Sequence, residues 1–270
     1  NMVKHHPEFE EFENARVAIP KTVVLCTDVF DEFMDTNNLY QIALSDAEDD
    51  VILRYFLKAK LPDRLVEDFF TFFDVVKSPI AIRSSSLLED SHYQPFAGIY
   101  NTYMIPYLDD KYEMLRMLSD AIKGVYASVY FRDSKAYMQA TSNVILQEVV
   151  GKQYGDRYYP SMSGVARSLN YYPIGDERAE EGIVNLALGL GKYIVDGGMT
   201  LRFSPYHPNQ VLQTSEMEIA LKETQTRFYA LDLRNAGHDF SIDDGFNLLK
   251  LHVKEAEKDG SLNYIASTYD

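Results

Sequence analysis

The sequence predicts a mixed α+β fold. Short apolar runs that alternate in polarity are separated by longer segments with helical apolar spacing. Hydrophobic residues make up 46% and charged residues 25%, the balance of a chain with a substantial core. At 270 residues the chain has room for one large domain or two smaller ones. No internal repeat or low-complexity tract interrupts the pattern, and the 20 tyrosines without a tryptophan decide nothing.

The elements follow in order. Residues 16–25, RVAIPKTVVL, read as an extended lead-in and a short buried strand, with Pro20 at the turn. TDVFDEFMDTNNL follows as a helix that Thr27 or Asp28 can cap. Val29, Phe30, Phe33 and Met34 share its apolar face, and Asn37-Asn38 ends it. Residues 47–58 and 62–76 carry helical periodicity, and Pro62 is well placed at a helix start. SPIAIRSSS is a strand in which Ile80 and Ile82 alternate, with Pro79 at its tolerant beginning. GIYNTYMI (98–105) reads as another strand. Residues 110–139 form a long helical segment with a break expected near Gly124. NVILQEVV (143–150) is an apolar strand, GVARSLN (164–170) a further one, 180–188 are mixed, and GLGKYIVDGG is a glycine-punctuated turn. Residues 215–233 read as helix, as does FSIDDGFNLLKLHVKEAEKDG, capped by Ser241 or Asp243 and ended by Gly260.

Charge and composition exclude several classes. A net charge of −15 repels nucleic-acid phosphates and anionic membranes, so neither is an expected partner. Any anionic ligand must be held by a local cluster of donors. The single cysteine, Cys26, allows no internal disulfide and reads as a small core residue in VVLCTDVF; the cytoplasm is the expected compartment. No run approaches the ~20 apolar residues of a membrane span, and no signal peptide is visible. The chain starts in mid-pattern and ends without a stop signal, as expected of a piece of a longer protein.

Chemistry concentrates in PIAIRSSSLLEDSHYQPFAGIYNTYM, residues 79–104. Arg83 keeps its charge and presents a planar fork of donors at the end of a strand. Ser84, Ser85 and Ser86 add hydroxyls and slim backbone. Glu89 and Asp90 can orient Arg83 or take Mg2+ with a phosphate. Gly98, flanked by Phe96 and Ala97, lets backbone N–H groups approach phosphate oxygens. A surface salt bridge beside a hairpin turn is the plainer alternative. The loop 91–97, with a central proline and polar residues, is expected to be mobile without ligand.

The order of these residues resembles the nucleotide-binding domain of phosphoenolpyruvate synthases and pyruvate phosphate dikinases. That family reads V-A-V-R-S-S, then E-D, then S-F-A-G, then T. Here the series is IAIRSS (80–85), Glu89-Asp90, Phe96-Ala97-Gly98 and Thr102. AIPKTVVLCTDVFDEFM (18–34) is similar to the family's opening, VYASVYFRDSKAY (125–137) to its W-A-S helix, and VILQEVVG (144–151) to its Q-x-M-V strand. SGVARS (163–168) is similar to S-G-V-x-F-S, and GLGKYIVDGG (189–198) to G-L-G-E-x-V-V-x-G. The resemblance implies an ATP-grasp-like nucleotide-binding domain of two subdomains, incomplete at both ends. It would occupy residues 1–200, with 16–90 and 140–200 as main subdomains and 91–139 as lid loop and helical insert. A mostly helical C-terminal extension, 201–270, would follow. It implies ATP and Mg2+ as cofactors. Arg83 would be the catalytic contact to ATP phosphates, with Ser84, Ser85 and Glu89 beside it. Phe96, Ala97, Gly98 and Thr102 would close as a glycine lid. Gln147, Glu148, Val149 and Val150 would form the hinge strand whose backbone reads the adenine edge. No metal-ligand set is assigned.

The chain also departs from the family. The glycine-glycine-lysine motif is absent, and Lys21-Thr22 replaces a small-residue turn. Glu216, Glu218 and Arg234 resemble the closing D-x-E-W and Q-x-R ligands only superficially, because their segment reads as helix. Lys192 stands where the family usually has glutamate. The T-x-H-A motif of the phosphohistidine domain is missing, and His92 reads as a solvated loop residue. The passage from AYMQ to VILQ is short, so residues lost between 139 and 144 are expected. In the family, ATP pyrophosphorylates a histidine on a second domain, and the β-phosphoryl then passes to pyruvate on a third. The chain is therefore expected to be an ATP-binding fragment, not competent alone, whose partners are the phosphohistidine and pyruvate-binding domains of its parent. A homodimer stays open. So do a dikinase with a glucan or antibiotic acceptor, and a degenerate domain that senses nucleotide or scaffolds.

Overall fold

A computed structural model describes residues 17–85, 102–135, 143–234, 240, 241, 243 and 245–265. Strand β1 (Thr22–Leu25) leads into helix α1 (Thr27–Thr36), the single turn α2 (Tyr40–Ala43), α3 (Asp49–Lys58) and α4 (Leu65–Val75). Strands β2 (Ile80–Ser85) and β3 (Thr102–Ile105) precede the long helix α5 (Lys111–Ser128), the turn α6 (Arg132–Lys135) and β4 (Asn143–Glu148). Then come β5 (Lys152–Tyr154), β6 (Arg157–Tyr159), β7 (Ser163–Arg167), β8 (Ile183–Ala187), α7 (Lys192–Val195) and β9 (Leu201–Phe203). Helix α8 (Met217–Glu223), β10 (Arg227–Asp232), β11 (Leu248–His252) and α9 (Val253–Lys258) complete the order. The architecture is mixed α and β with antiparallel sheets, as expected of an ATP-grasp-like domain.

The first sheet runs β1-β4-β2-β3. Its strands alternate strictly, so Ile80, Ile82, Tyr103, Ile105, Val144 and Leu146 all bury on one face. Helix α5 covers that face, packing on β2 and β3 and against α3 and α4. The stripe Val29, Phe30, Phe33 and Met34 of α1 is buried as its spacing predicts. Each such side chain contributes roughly 1.5–3 kcal/mol of burial. Asp110 caps α5 by accepting from the Tyr112 and Glu113 N–H groups.

A second core gathers Val149, Tyr159, Leu188, Leu190, Phe228, Ala230, Leu231 and Ala256. It belongs to a sheet ordered β11-β10-β6-β5, beside a third sheet β7-β8-β9. Ala81 and Met104, on the helix-free face of the first sheet, pack against this second core. The connection from β10 to β11 reaches back to the free edge of β3. Asn247, at φ 61, donates from Nδ2 to the Met104 carbonyl at 3.1 Å. The Phe240 ring stands edge-on to Tyr103 at 4.7 Å.

Several expectations are corrected. Helix α5 runs unbroken through Gly124, since one glycine costs a helix only about 1 kcal/mol; a Cβ there would lie 2.5 Å from the Phe240 ring, for which the glycine makes room. Strand β1 is an edge strand on which only Leu25 is buried. Cys26 is accordingly exposed, not core, and occupies the N-cap of α1 without a side-chain bond. Residues 201–270 are not mostly helical. They supply β9 to the third sheet and β10 and β11 to the second. The segment read as one helix over 215–233 is α8 followed by β10, and the last segment is β11 followed by α9. Gly260 ends that helix at φ 69 as expected.

Candidate functional site

Strand parity decides which site residues meet. Arg83 faces Thr102 on β3 and Ile145 on β4, and Ala81 in the next row faces Met104 and Gln147. Arg83, Ser85, Thr102 and Gln147 therefore share the helix-free face of the first sheet, the face that meets the second core. Gln147 donates to the Thr22 hydroxyl at 3.1 Å. Arg83 is exposed, and its guanidinium makes no ion pair or hydrogen bond among the described residues. Glu89, Phe96, Ala97 and Gly98, with the loop 91–97, lie outside the described residues.

Two expected residues point the other way. Ser84 is buried on the helix face, where its hydroxyl has no partner among the described residues. Glu148 stands opposite Ile80, and its carboxylate accepts from the Ser78 hydroxyl at 3.1 Å and the Lys21 N–H at 3.3 Å. That carboxylate ties together the starts of β1 and β2. The hinge backbone is likewise engaged. Glu148 N–H donates to Lys21 O and Val149 N–H to Pro79 O, each at 2.9 Å. The Val149 carbonyl accepts from the Tyr158 hydroxyl at 3.0 Å, while Val150 is exposed.

The later motifs build one corner of the second core. The Ser163 hydroxyl donates to the Gly189 carbonyl at 2.6 Å, joining the S-G-V and G-L-G segments. Gly189 has φ +83, and a Cβ there would lie 2.7 Å from the Tyr229 carbonyl, so only glycine fits. Leu190 N–H donates to that same carbonyl at 2.9 Å. Lys192 pairs with Asp196 at 3.0 Å, and the Lys21 ammonium donates to the Val75 carbonyl at 2.5 Å. Both unusual lysines thus have partners within the fold.

Glu216 and Glu218 sit exposed at the start of α8. Arg234 follows β10 and is bound by Asp232 through two contacts, Nε to Oδ1 at 2.9 Å and Nη2 to Oδ2 at 2.8 Å. That hydrogen bond raises the Arg234 pKa above its ordinary value. Asp232 is a buried residue that sequence reasoning missed; its signal was the short apolar run FYAL just before it, the pattern of a buried strand. A groove of about 620 Å³ between β1 and α4, lined by Leu25, Cys26, Leu65, Phe69 and Phe72, includes none of Arg83, Thr102 or Gln147. Among the described residues no three His, Cys, Asp or Glu side chains gather as a metal site. No described helix is long and apolar enough to cross a membrane.

Residues 7–240 match the family described as pyruvate phosphate dikinase, AMP/ATP-binding domain. The chain is also similar to the uncharacterized phosphotransferase YvkC of Bacillus subtilis (strain 168), at 27% identity over 182 residues, 67% of this chain. It spans 20% of that protein's length. The family match takes in the whole first sheet, its helices, and the second core as far as β10, so the chain belongs to the AMP/ATP-binding domain family of pyruvate phosphate dikinase.

Proposed function

We propose that this chain is the ATP-binding part of a phosphoenolpyruvate synthase-like phosphotransferase, with the nucleotide held between the helix-free face of the first sheet and the second core. The observation that carries the reading is the shared face of Arg83, Thr102 and Gln147. A guanidinium with no partner among the described residues supplies a bidentate donor to phosphate there, with the Thr102 hydroxyl directly across the strand pair. Phosphoryl transfer asks chiefly for such positioning and charge neutralisation. Ser85 and the segment carrying Glu89, Phe96, Ala97 and Gly98 complete the phosphate end. Ser84 and Glu148 act through backbone and strand placement, since their side chains face away.

No preassembled carboxylate cluster fits Mg2+ among the described residues. At nucleotide sites Mg2+ is held by the phosphates with one or two carboxylates, and here it would arrive on ATP. The parent chain would supply the phosphohistidine and pyruvate-binding domains, in the cytoplasm. A second reading, a degenerate nucleotide-sensing domain, draws on the structural engagement of Lys21, Lys192 and the Glu148–Val149 N–H groups. Incubating the full-length parent with ATP and Mg2+, with and without pyruvate, separates the two. Pyruvate-dependent AMP supports the synthase-like reading. AMP formed without regard to pyruvate points to another acceptor, and bound ATP with no AMP leaves the sensor.

A further inference from the structure

A cleft of about 270 Å³ opens between α7 and the second sheet. Tyr193, Asp196 and the Gly197-Gly198 turn form one wall; Arg227, Tyr229 and Lys250 form the other. Lys250 is the cross-strand partner of Tyr229, and Arg227 precedes Tyr229 by two residues on β10. All three therefore share one face, with the two cations as diagonal neighbours. The Lys250 ammonium stands 5.6 Å over the Tyr229 ring, and Tyr193 meets that ring edge-on at 6.0 Å. A Cβ on Gly198 would overlap the Tyr193 ring, so the turn stays bare.

The charges do not balance. Asp196, the one carboxylate of the lining, is bound by Lys192 at 3.0 Å. Neither Arg227 nor Lys250 makes an ion pair among the described residues. Like charges on one face of a strand pair repel, and an anion between them relieves the repulsion. In a chain of net charge −15, this is a local donor cluster of the kind an anionic ligand requires. A guanidinium fork and an ammonium approaching from adjacent strands suit a tetrahedral oxyanion of up to two charges.

We propose that this cleft binds a phosphate group, either free inorganic phosphate or the phosphate end of a larger ligand held on this face. The test is calorimetric titration of inorganic phosphate into the whole 270-residue chain in chloride buffer. Arg227→Gln and Lys250→Gln are compared with Lys152→Gln, whose ammonium also stands 5.6 Å over a tyrosine, Tyr154, outside the cleft. All three side chains are exposed, and melting curves verify the fold. Saturable binding is expected, weakened about tenfold or more by either cleft variant and unchanged by the control. Repeating the titration with saturating ADP identifies the source. Phosphate that still binds supports a free-phosphate site; phosphate excluded, with ADP affinity lowered by the same two variants, assigns the cleft to the nucleotide. Absence of saturable phosphate binding with ADP affinity unmoved overturns the proposal, as does an equal loss in the control. Phosphate binding in a chain that takes no ADP would defeat the ATP-binding reading and leave this one standing.

Discussion

Arg83 on β2 and Thr102 on β3 are direct cross-strand partners on the face of the first sheet opposite α5. The guanidinium spends no bond on the described protein. Arg83→Ala is therefore expected to weaken ATP binding about tenfold or more with little change in melting temperature. Arg83→Lys keeps the charge but loses the fork, and should fall between. Calorimetric titration of ATP into the three proteins reads this, and equal affinities would remove Arg83 from the site.

Gly124 makes a second test. Glycine to alanine inside a helix ordinarily gains about 1 kcal/mol. Here the new Cβ meets the Phe240 ring at 2.5 Å, so Gly124→Ala should gain little or lose stability. In a Phe240→Ala background the ordinary gain should return. A double-mutant cycle by urea unfolding should show coupling of about 1 kcal/mol or more.

Glu177 sets an acid limit. Its carboxylate takes bidentate contacts from Arg202, Nη1 at 2.9 Å and Nη2 at 2.8 Å, and a further bond from Asn170 at 2.9 Å. The Arg202 hydrogen bonds, foremost, hold its pKa down at about 2, against 4.5 for a free glutamate. A depressed carboxylate contributes stability above its unfolded pKa and loses it as pH falls through the folded one. The contribution should thus be full above about pH 4.5 and fade between 4.5 and 2. Glu177→Gln should flatten that part of a melting-temperature profile; an unchanged slope would count against the pairing.

Glu148 should behave as a structural residue. Removing its carboxylate in Glu148→Ala strips the Ser78 hydroxyl and the Lys21 N–H of their acceptor. A cost of about 1–3 kcal/mol is expected, with Glu148→Gln recovering part of it. Denaturant unfolding measures both.

Strands of the first sheet were legible in sequence because burial on one face imposes period two. Ile80-Ala81-Ile82 carries that pattern, Val144-Ile145-Leu146 is a short apolar run of strand length, and the α1 stripe carries the helical period. Arg83, Thr102 and Gln147 could be placed together because they were read in a known order. The β5–β6 hairpin escaped notice, since three-residue strands carry too little period to register; only Gly155 at φ 58 marks its turn. Strand β10 was hidden by its continuity with α8, and β11 by its leucines, which fit a helix as well as a strand. Long-range packing was invisible. Nothing local to Gly124 announces Phe240.

The bond from Asn247 to Met104 joins residues 143 apart, and Asn247 lies beyond the stretch matched by the family. During synthesis the edge strand β3 would emerge long before its cover. At 5–20 residues per second the wait is roughly 7–30 s. Once β4 has followed and the sheet can form, the outer edge of β3 still lacks, among the described residues, the partner that Asn247 provides, and such an edge is open to a neighbouring nascent chain. A version ended at residue 240 would leave that edge without Asn247 for good and would also strip β10 of its partner β11 and the second core of Ala256. Shortening the protein to its family boundary should therefore yield aggregates, whereas Asn247→Ala in the longer chain tests the β3 edge alone.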